Sequence, residues 1–379
     1  MRLTVLKERA PGETRAAATP ETVRKFAAMG LQVAVEAGAG QGSSIQDAQY
    51  AEAGAEIAPG PAEALAGAGV VLAVQMPGAE QRGQIPRGAL LVCVANAAGD
   101  PSLVQGLAQA GIDVAAMELL PRITRAQSMD VLSSQANLSG YRAVIEGAGA
   151  FERGFPMMMT AAGTVPPARV LIIGAGVAGL QAIATARRLG AIVSATDVRP
   201  AAKEEIKSLG AAFVGVEDTE TAGQTGAYAR QMSEDFLRRQ GELMAATAAK
   251  SDLVICTALV QGRKAPVLLS QAAVDGMKPG SVVVDLAADN GGNCAATVPG
   301  EEITTPNGVK VLGWRNWPAR IAVAASQLYA RNLLTFLTLF WNKETGRPHL
   351  PADDEIVRGV LLTRGGELVH PQFQPAAAE

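Results

Sequence analysis

Two groups of residues in this chain have types and spacings that could do chemistry. In the first, Gly174, Gly176 and Gly179 form a G-x-G-x-x-G run. An apolar stretch at 170–173 leads into it, and an Ala-, Leu- and Ile-rich stretch opens at Val177. Strand, turn and helix in that order form the context in which such a run binds a dinucleotide pyrophosphate. The first glycine permits a tight turn, the second admits the phosphates to the backbone, and the third lets helix and strand pack closely. Free N–H groups at the helix start then face the phosphates. Asp197 follows 18 residues after Gly179, near the spacing of about 20 at which a carboxylate accepts hydrogen bonds from a ribose. A carboxylate there repels a 2′-phosphate, so NAD is expected over NADP. Arg199 argues the other way, because a nearby arginine can accommodate that phosphate. The second group is the polar segment 121–141, which holds Arg122, Gln127, Asp130, Ser133 and Tyr141. Its residue types fit a capped helix start, with Ser128 and Asp130 as caps. They equally fit the lining of a ligand cleft.

The elements that must position these groups follow from periodicity. Continuous apolar runs at 33–35, 70–74, 90–94 and 112–115 alternate with helical stretches such as 20–29 and 102–110. Such runs suit parallel strands buried on both faces. Thr19 followed by Pro20 reads as an N-cap with proline at the first helical position. A second series of strands is expected at 169–173, 191–195, 253–256 and 281–286. Long helices are expected at 128–151 and 318–341. The predicted fold is therefore α/β: two Rossmann-like, doubly wound parallel-sheet domains joined by long helices, with the nucleotide in the interdomain cleft. The first domain is expected to be discontinuous, 1–127 with 308–379. Residues 142–307 form the second, nucleotide-binding domain, and 128–141 the connecting helix region. Segment 217–226 is rich in Thr and Gly without apolar periodicity, and on composition reads as an exposed surface insertion.

The 379 residues suffice for two ordinary domains. A net charge of −3 gives no basic face for nucleic acid. The longest apolar run, 328–341, is interrupted by Arg331 and Asn332, so no direct membrane span is expected. Cys93, Cys256 and Cys294 lack C-x-x-C spacing, which argues for a reduced, cytoplasmic setting and against a metal site. No signal peptide is legible at the start.

Segment 121–141, together with 157–168 and the glycine run, resembles the NAD(H)-binding component of proton-translocating nicotinamide nucleotide transhydrogenase, domain I of the alpha subunit. The resemblance extends from Lys7-Glu8-Arg9 to Val369-His370-Pro371. It implies a Re/Si-specific NAD(P)+ transhydrogenase, active only with its partner subunits. Hydride would pass between NAD(H) here and NADP(H) on a separate binding component. That transfer would be coupled to proton movement through a membrane-spanning component. The family also implies a homodimer, peripheral on the cytoplasmic face of the inner membrane. Arg122, Gln127, Asp130 and Ser133 resemble the loop around the nicotinamide, with Gln127 reaching toward the other nucleotide. Asp197 resembles the adenosine-ribose ligand, and Tyr228 the tyrosine of a mobile loop that closes over the nucleotide. That match revises the reading of 217–228 as a mere insertion. Val177, Val198, Arg199, Tyr141 and Leu259 complete the cofactor contacts the resemblance implies. The tail at 375–379 carries no membrane helix, and a natural end of a split system is expected.

Two other functions compete. Alanine dehydrogenase, a relative of the same plan, needs a lysine and a histidine for its imine chemistry. Gln75 stands where the lysine would be, the stretch 93–98 has no histidine, and His349 and His370 lie in the tail. Arg15, which resembles a substrate-carboxylate ligand, remains. The second competitor is a non-catalytic NAD(H)-binding module, against which the polar segment 122–130 argues.

Overall fold

The computed structural model describes residues 1–216, 234–259 and 264–374. The chain divides into two units: residues 1–135 with 318–379, and residues 136–317.

The first unit is built on an eight-stranded sheet. Its order is Glu367–Leu368, Leu361–Arg364, Asp113–Ala116, Leu90–Val94, Ala68–Gln75, Arg2–Val5, Gln32–Glu36, Glu56–Ala58. The six strands from Asp113–Ala116 to Glu56–Ala58 are parallel. Separate apolar clusters lie on the two faces of this sheet. One holds Leu3, Val5, Val70, Leu72 and Phe26, and the other Val71, Leu91, Cys93 and Val114. That double burial is why these strands read as unbroken apolar runs rather than alternating ones. Helix Pro20–Ala28 starts where the sequence predicts. Thr19 and Thr22 form a reciprocal capping box, and Pro20 opens the first turn.

The second unit carries a seven-stranded sheet. Its order is Ala212–Phe213, Ile192–Thr196, Arg169–Ile173, Leu253–Cys256, Val282–Asp285, Lys310–Leu312, Glu302–Thr304. All neighbours are parallel except the last pair. Both sheets therefore run outward in two directions from their first strand. In the second, the reversal lies between Arg169–Ile173 and Leu253–Cys256. The crevice beyond the carboxyl ends of strands at such a point is where ligands bind in doubly wound folds.

The long helices are shorter than their sequence patterns. Residues 124–129 form a 3₁₀ turn, and the helix proper is Val131–Ala150. Asp130 sets that start, since its carboxylate accepts the Ser133 N–H at 2.9 Å. Likewise a 3₁₀ turn at Trp317–Ile321 precedes the helix Ala322–Leu339. Residues 308–317 lie in the second unit rather than the first, because Lys310–Leu312 pairs with Val282–Asp285.

Candidate functional site

The glycine run sits at the reversal point of the second sheet, between strand Arg169–Ile173 and helix Val177–Arg188. Gly174 has φ +96°, a backbone region that favours glycine. A Cβ there would sit 2.7 Å from the Thr257 hydroxyl. A Cβ on Gly179 would overlap the Gly174 carbonyl oxygen, so helix and turn meet backbone to backbone. Gly176 differs: a Cβ there would meet nothing within 4 Å. It is also the N-cap of the helix, and no side chain caps that end. The first amides of the helix are thus left for an outside acceptor beside open space, which fits a pyrophosphate.

Asp197 follows strand Ile192–Thr196, with a side chain only 9% exposed. Its carboxylate is well supplied with donors. One oxygen accepts the Ala175 N–H at 2.7 Å, and the other accepts the Arg199 N–H at 2.8 Å. The Arg199 guanidinium donates to both oxygens, at 3.1 and 3.2 Å, and to the Ala175 carbonyl at 2.9 Å. Arg199 thus pairs with the very carboxylate whose specificity its type would oppose. The chain also leaves Val177, Val198 and Leu259 exposed at the carboxyl edge of this sheet, with Tyr141 exposed on helix Val131–Ala150.

Sequence reasoning passed over three residues that hold this arrangement. A Cβ on Gly140 would overlap the Ala178 carbonyl oxygen, so this glycine seats helix Val131–Ala150 on the start of helix Val177–Arg188. The Thr257 hydroxyl donates to the Gly174 carbonyl at 3.0 Å. Asp285, fully buried, accepts the N–H groups of Ala287, Asn293 and Cys294 and the Thr297 hydroxyl, and so shapes the loop after its strand. Each acts through partners remote in sequence or on the backbone, and such partners leave no local pattern to read.

Arg122, Gln127, Asp130 and Ser133 of the polar segment fall in the first unit, and Tyr141 in the second. Buried Ala126 and Met129 anchor the 3₁₀ turn Thr124–Met129. The Asn332 amide ties the turn to helix Ala322–Leu339 by donating to the Ser128 carbonyl at 2.9 Å. Asp130 accepts both the N–H and the hydroxyl of Ser133, the latter at 2.6 Å. These two residues are therefore paired with each other, and Asp130 caps the helix. Arg122 and Gln127 are exposed. Neither donates a side-chain hydrogen bond to a described residue. Tyr228 and the 217–228 segment lie outside the described residues.

Arg15 is buried and engaged. Its guanidinium pairs with Glu13 at 2.6 Å and donates to the Gln135 side-chain carbonyl at 2.9 Å. Gln75 donates to the same Glu13 carboxylate at 3.0 Å. Burial pushes the Glu13 carboxyl up, but Arg15 more than offsets this and holds it at about 2. Glu8, which accepts the Val74 and Gln75 N–H groups, is pushed up by burial to about 7. A carboxyl raised in the folded state stabilises below its ordinary value of 4.5 and loses that contribution as pH rises through about 7. The thermal midpoint is accordingly expected to fall between pH 5 and 8 less in Glu8→Gln than in wild type. Equal slopes in the two melting series would contradict this.

Comparison with known proteins places the chain. Residues 4–139 match the family described as alanine dehydrogenase/PNT, N-terminal domain, and residues 143–371 match its C-terminal domain. An NAD(P) transhydrogenase subunit alpha polypeptide of Rhodospirillum rubrum is 51% identical over 378 residues, covering 98% of each chain. A solved structure of transhydrogenase from Sinorhizobium meliloti is 48% identical with a TM-score of 0.89, covering 97% of this chain and 100% of that one. An L-alanine dehydrogenase structure is 25% identical with a TM-score of 0.80, covering 99% and 98%. The chain belongs to the alanine dehydrogenase/PNT family, and within it resembles the NAD(P) transhydrogenase alpha subunits.

Proposed function

We propose that this chain is the NAD(H)-binding component of a Re/Si-specific, proton-translocating transhydrogenase. It passes hydride between NADH and NADP+ held on a separate NADP(H)-binding component. A membrane-spanning component couples that transfer to proton movement, and the chain acts only with these partners. Among the described residues no helix is long and apolar enough to cross a membrane. In this reading the chain sits on the cytoplasmic face of the inner membrane through its partners.

The observation that carries the reading is the presence, in one chain, of a nucleotide cradle and a polar segment in which Arg125 is held by Asp354 at 2.8 Å while Arg122 and Gln127 are exposed and bond to none of the described residues. The glycine turn holds the pyrophosphate, and Asp197 takes the adenosine ribose. NAD(H), when bound, supplies or accepts the hydride. Direct transfer between nicotinamide rings asks the protein for position and exclusion of water, not for an acid or base. Gln127, on a turn fixed by Ala126, Met129 and Asn332, and Arg122, two residues before that turn, suit that task as exposed donors. Asp130 and Ser133 act here by holding each other and the helix start. Tyr141, Val177, Val198 and Leu259 give the nucleotide apolar contact. Tyr228 closes over it.

An alanine dehydrogenase has the fold in its favour. The residues of the first unit speak against it: Arg15 is bound to Glu13 and Gln135, and Gln75 offers no ammonium. A homodimer belongs to the reading too. Met158 and Met159 are exposed on the hairpin Met158–Thr160 and Gly163–Val165, and Met157 just before it, an apolar surface that a second copy would cover. A lone monomer in sedimentation at micromolar chain would contradict that element of the reading.

Nucleotide binding tests the cofactor assignment. Wild type is expected to bind NADH and to discriminate against NADPH. Asp197→Ala is expected to lose at least about tenfold in NADH affinity, the scale of one lost hydrogen bond to a charged group. Preferential NADPH binding by wild type would overturn the assignment.

A further inference from the structure

We propose that Asn293 is a positioning residue for the NAD(H) site, fixing the Ala258–Leu259 wall against the glycine turn. The inference rests on the reading of that turn as the NAD(H) cradle. It begins with the close fit between the turn and the segment after strand Leu253–Cys256. A Cβ on Gly174 would lie 2.7 Å from the Thr257 hydroxyl and 3.2 Å from the Ala258 nitrogen. A Cβ on Gly179 would lie 3.0 Å from the same hydroxyl. Wherever residues 257–259 sit, they therefore set one side of the turn. Leu259, at 53% exposure, is the apolar side chain this segment presents.

Asn293 decides where the segment sits. Its side chain is fully buried. Its side-chain carbonyl accepts the Ala258 N–H at 3.0 Å, and its amide donates to the Ala258 carbonyl at 2.9 Å. This pair of hydrogen bonds copies the pairing of one strand with another, at a point where the sheet itself has ended. The second amide hydrogen reaches the Pro266 carbonyl at 2.8 Å. One side chain thus joins backbone on both sides of residues 259–265. Asn293 is itself held by its main chain. Its N–H donates to Asp285 at 2.8 Å, and its backbone carbonyl accepts the Leu268 and Leu269 N–H groups at 2.8 and 3.0 Å. Asp285 ends the neighbouring strand, so the position of Ala258 is referred to the sheet through two buried polar residues. Asn293 acts on the nucleotide through Ala258 and Leu259 rather than by touching it.

Asn307 offers a matched control. Its side chain, half-buried, likewise makes three bonds to backbone, all donated by the amide, to the carbonyls of Val274, Asp275 and Met277. It precedes strand Lys310–Leu312, at the amino edge of the sheet and away from the turn. The experiment measures the Kd for NADH and the thermal midpoint of wild type, Asn293→Ala and Asn307→Ala, and the hydride-transfer kcat and KM with the NADP(H)-binding component. Both variants should lose stability. Only Asn293→Ala should bind NADH more weakly, by about tenfold or more, with kcat at saturating NADH nearly unchanged. Asn293→Ser, which keeps one polar oxygen near Ala258, should fall between it and wild type. Equal Kd values for Asn293→Ala and wild type overturn the inference while leaving the site reading intact. So would failure of both Asn293 variants to fold while Asn307→Ala folds, since that result makes the role structural. A wild type that binds no NADH would instead sink the reading of the site itself.

Discussion

Gly179→Ala is expected to raise the Kd for NADH by about 10- to 100-fold, the range set by overpacking a tight contact. The added methyl would overlap the Gly174 carbonyl oxygen, which is backbone and cannot swing aside. Helix Val177–Arg188 must shift along or away from the turn, and its amides then no longer converge on the phosphates. The thermal midpoint should fall as well, because Ala182, Ile183 and Ala186 of the same helix are core residues. Gly176→Ala separates the two effects. Its methyl would enter open space, so the midpoint should hold while NADH binding weakens, since that space is where the pyrophosphate approaches. Isothermal titration beside a melting curve reads both. Wild-type NADH affinity in Gly179→Ala would show that the turn does not hold the pyrophosphate.

Gln127→Ala is expected to lower hydride transfer to the partner's NADP+ by about 100-fold, the scale of a reacting geometry lost by about 1 Å. NADH binding and thermal midpoint should stay near wild type, because this exposed side chain bonds to no described residue. Arg122→Ala should behave alike. Asp130→Ala should not: removing a helix cap costs about 1 kcal/mol, so it should lose stability along with rate. Single-turnover transfer with the NADP(H)-binding component, compared with direct NADH titration, checks all three. Full transfer rates in both Gln127→Ala and Arg122→Ala would remove the polar turn from the reaction.

The strand, glycine turn and helix are legible in the sequence because their determinants are local. Gly174, Gly176 and Gly179 need only the strand before them and the helix after them, and Asp197 needs only the end of the next strand. Parallel strands buried on both faces also announce themselves, as residues 90–94 and 253–256 do. Arg199 is harder. Its type suggests a phosphate ligand, but its geometry is set by a carboxylate two residues away and a carbonyl in the glycine turn. Gly140, Thr257, Asp285 and Asn293 are not legible, because their partners are mostly backbone atoms far along the chain. The 128–151 pattern begins three residues before the true helix start: of the two caps the sequence offers, Ser128 and Asp130, it is Asp130 that caps the helix.

In the proposed function hydride passes directly from this chain's nucleotide to one on a partner. The most direct test mixes the chain, loaded with NADH deuterated at C4 of the nicotinamide, with the NADP(H)-binding component loaded with NADP+. Deuterium is expected to appear in NADPH without dilution by solvent hydrogen, and neither protein alone should give any transfer. Absence of transfer with both nucleotides bound, or oxidation of NADH by the chain alone with pyruvate and ammonia, would contradict direct transfer.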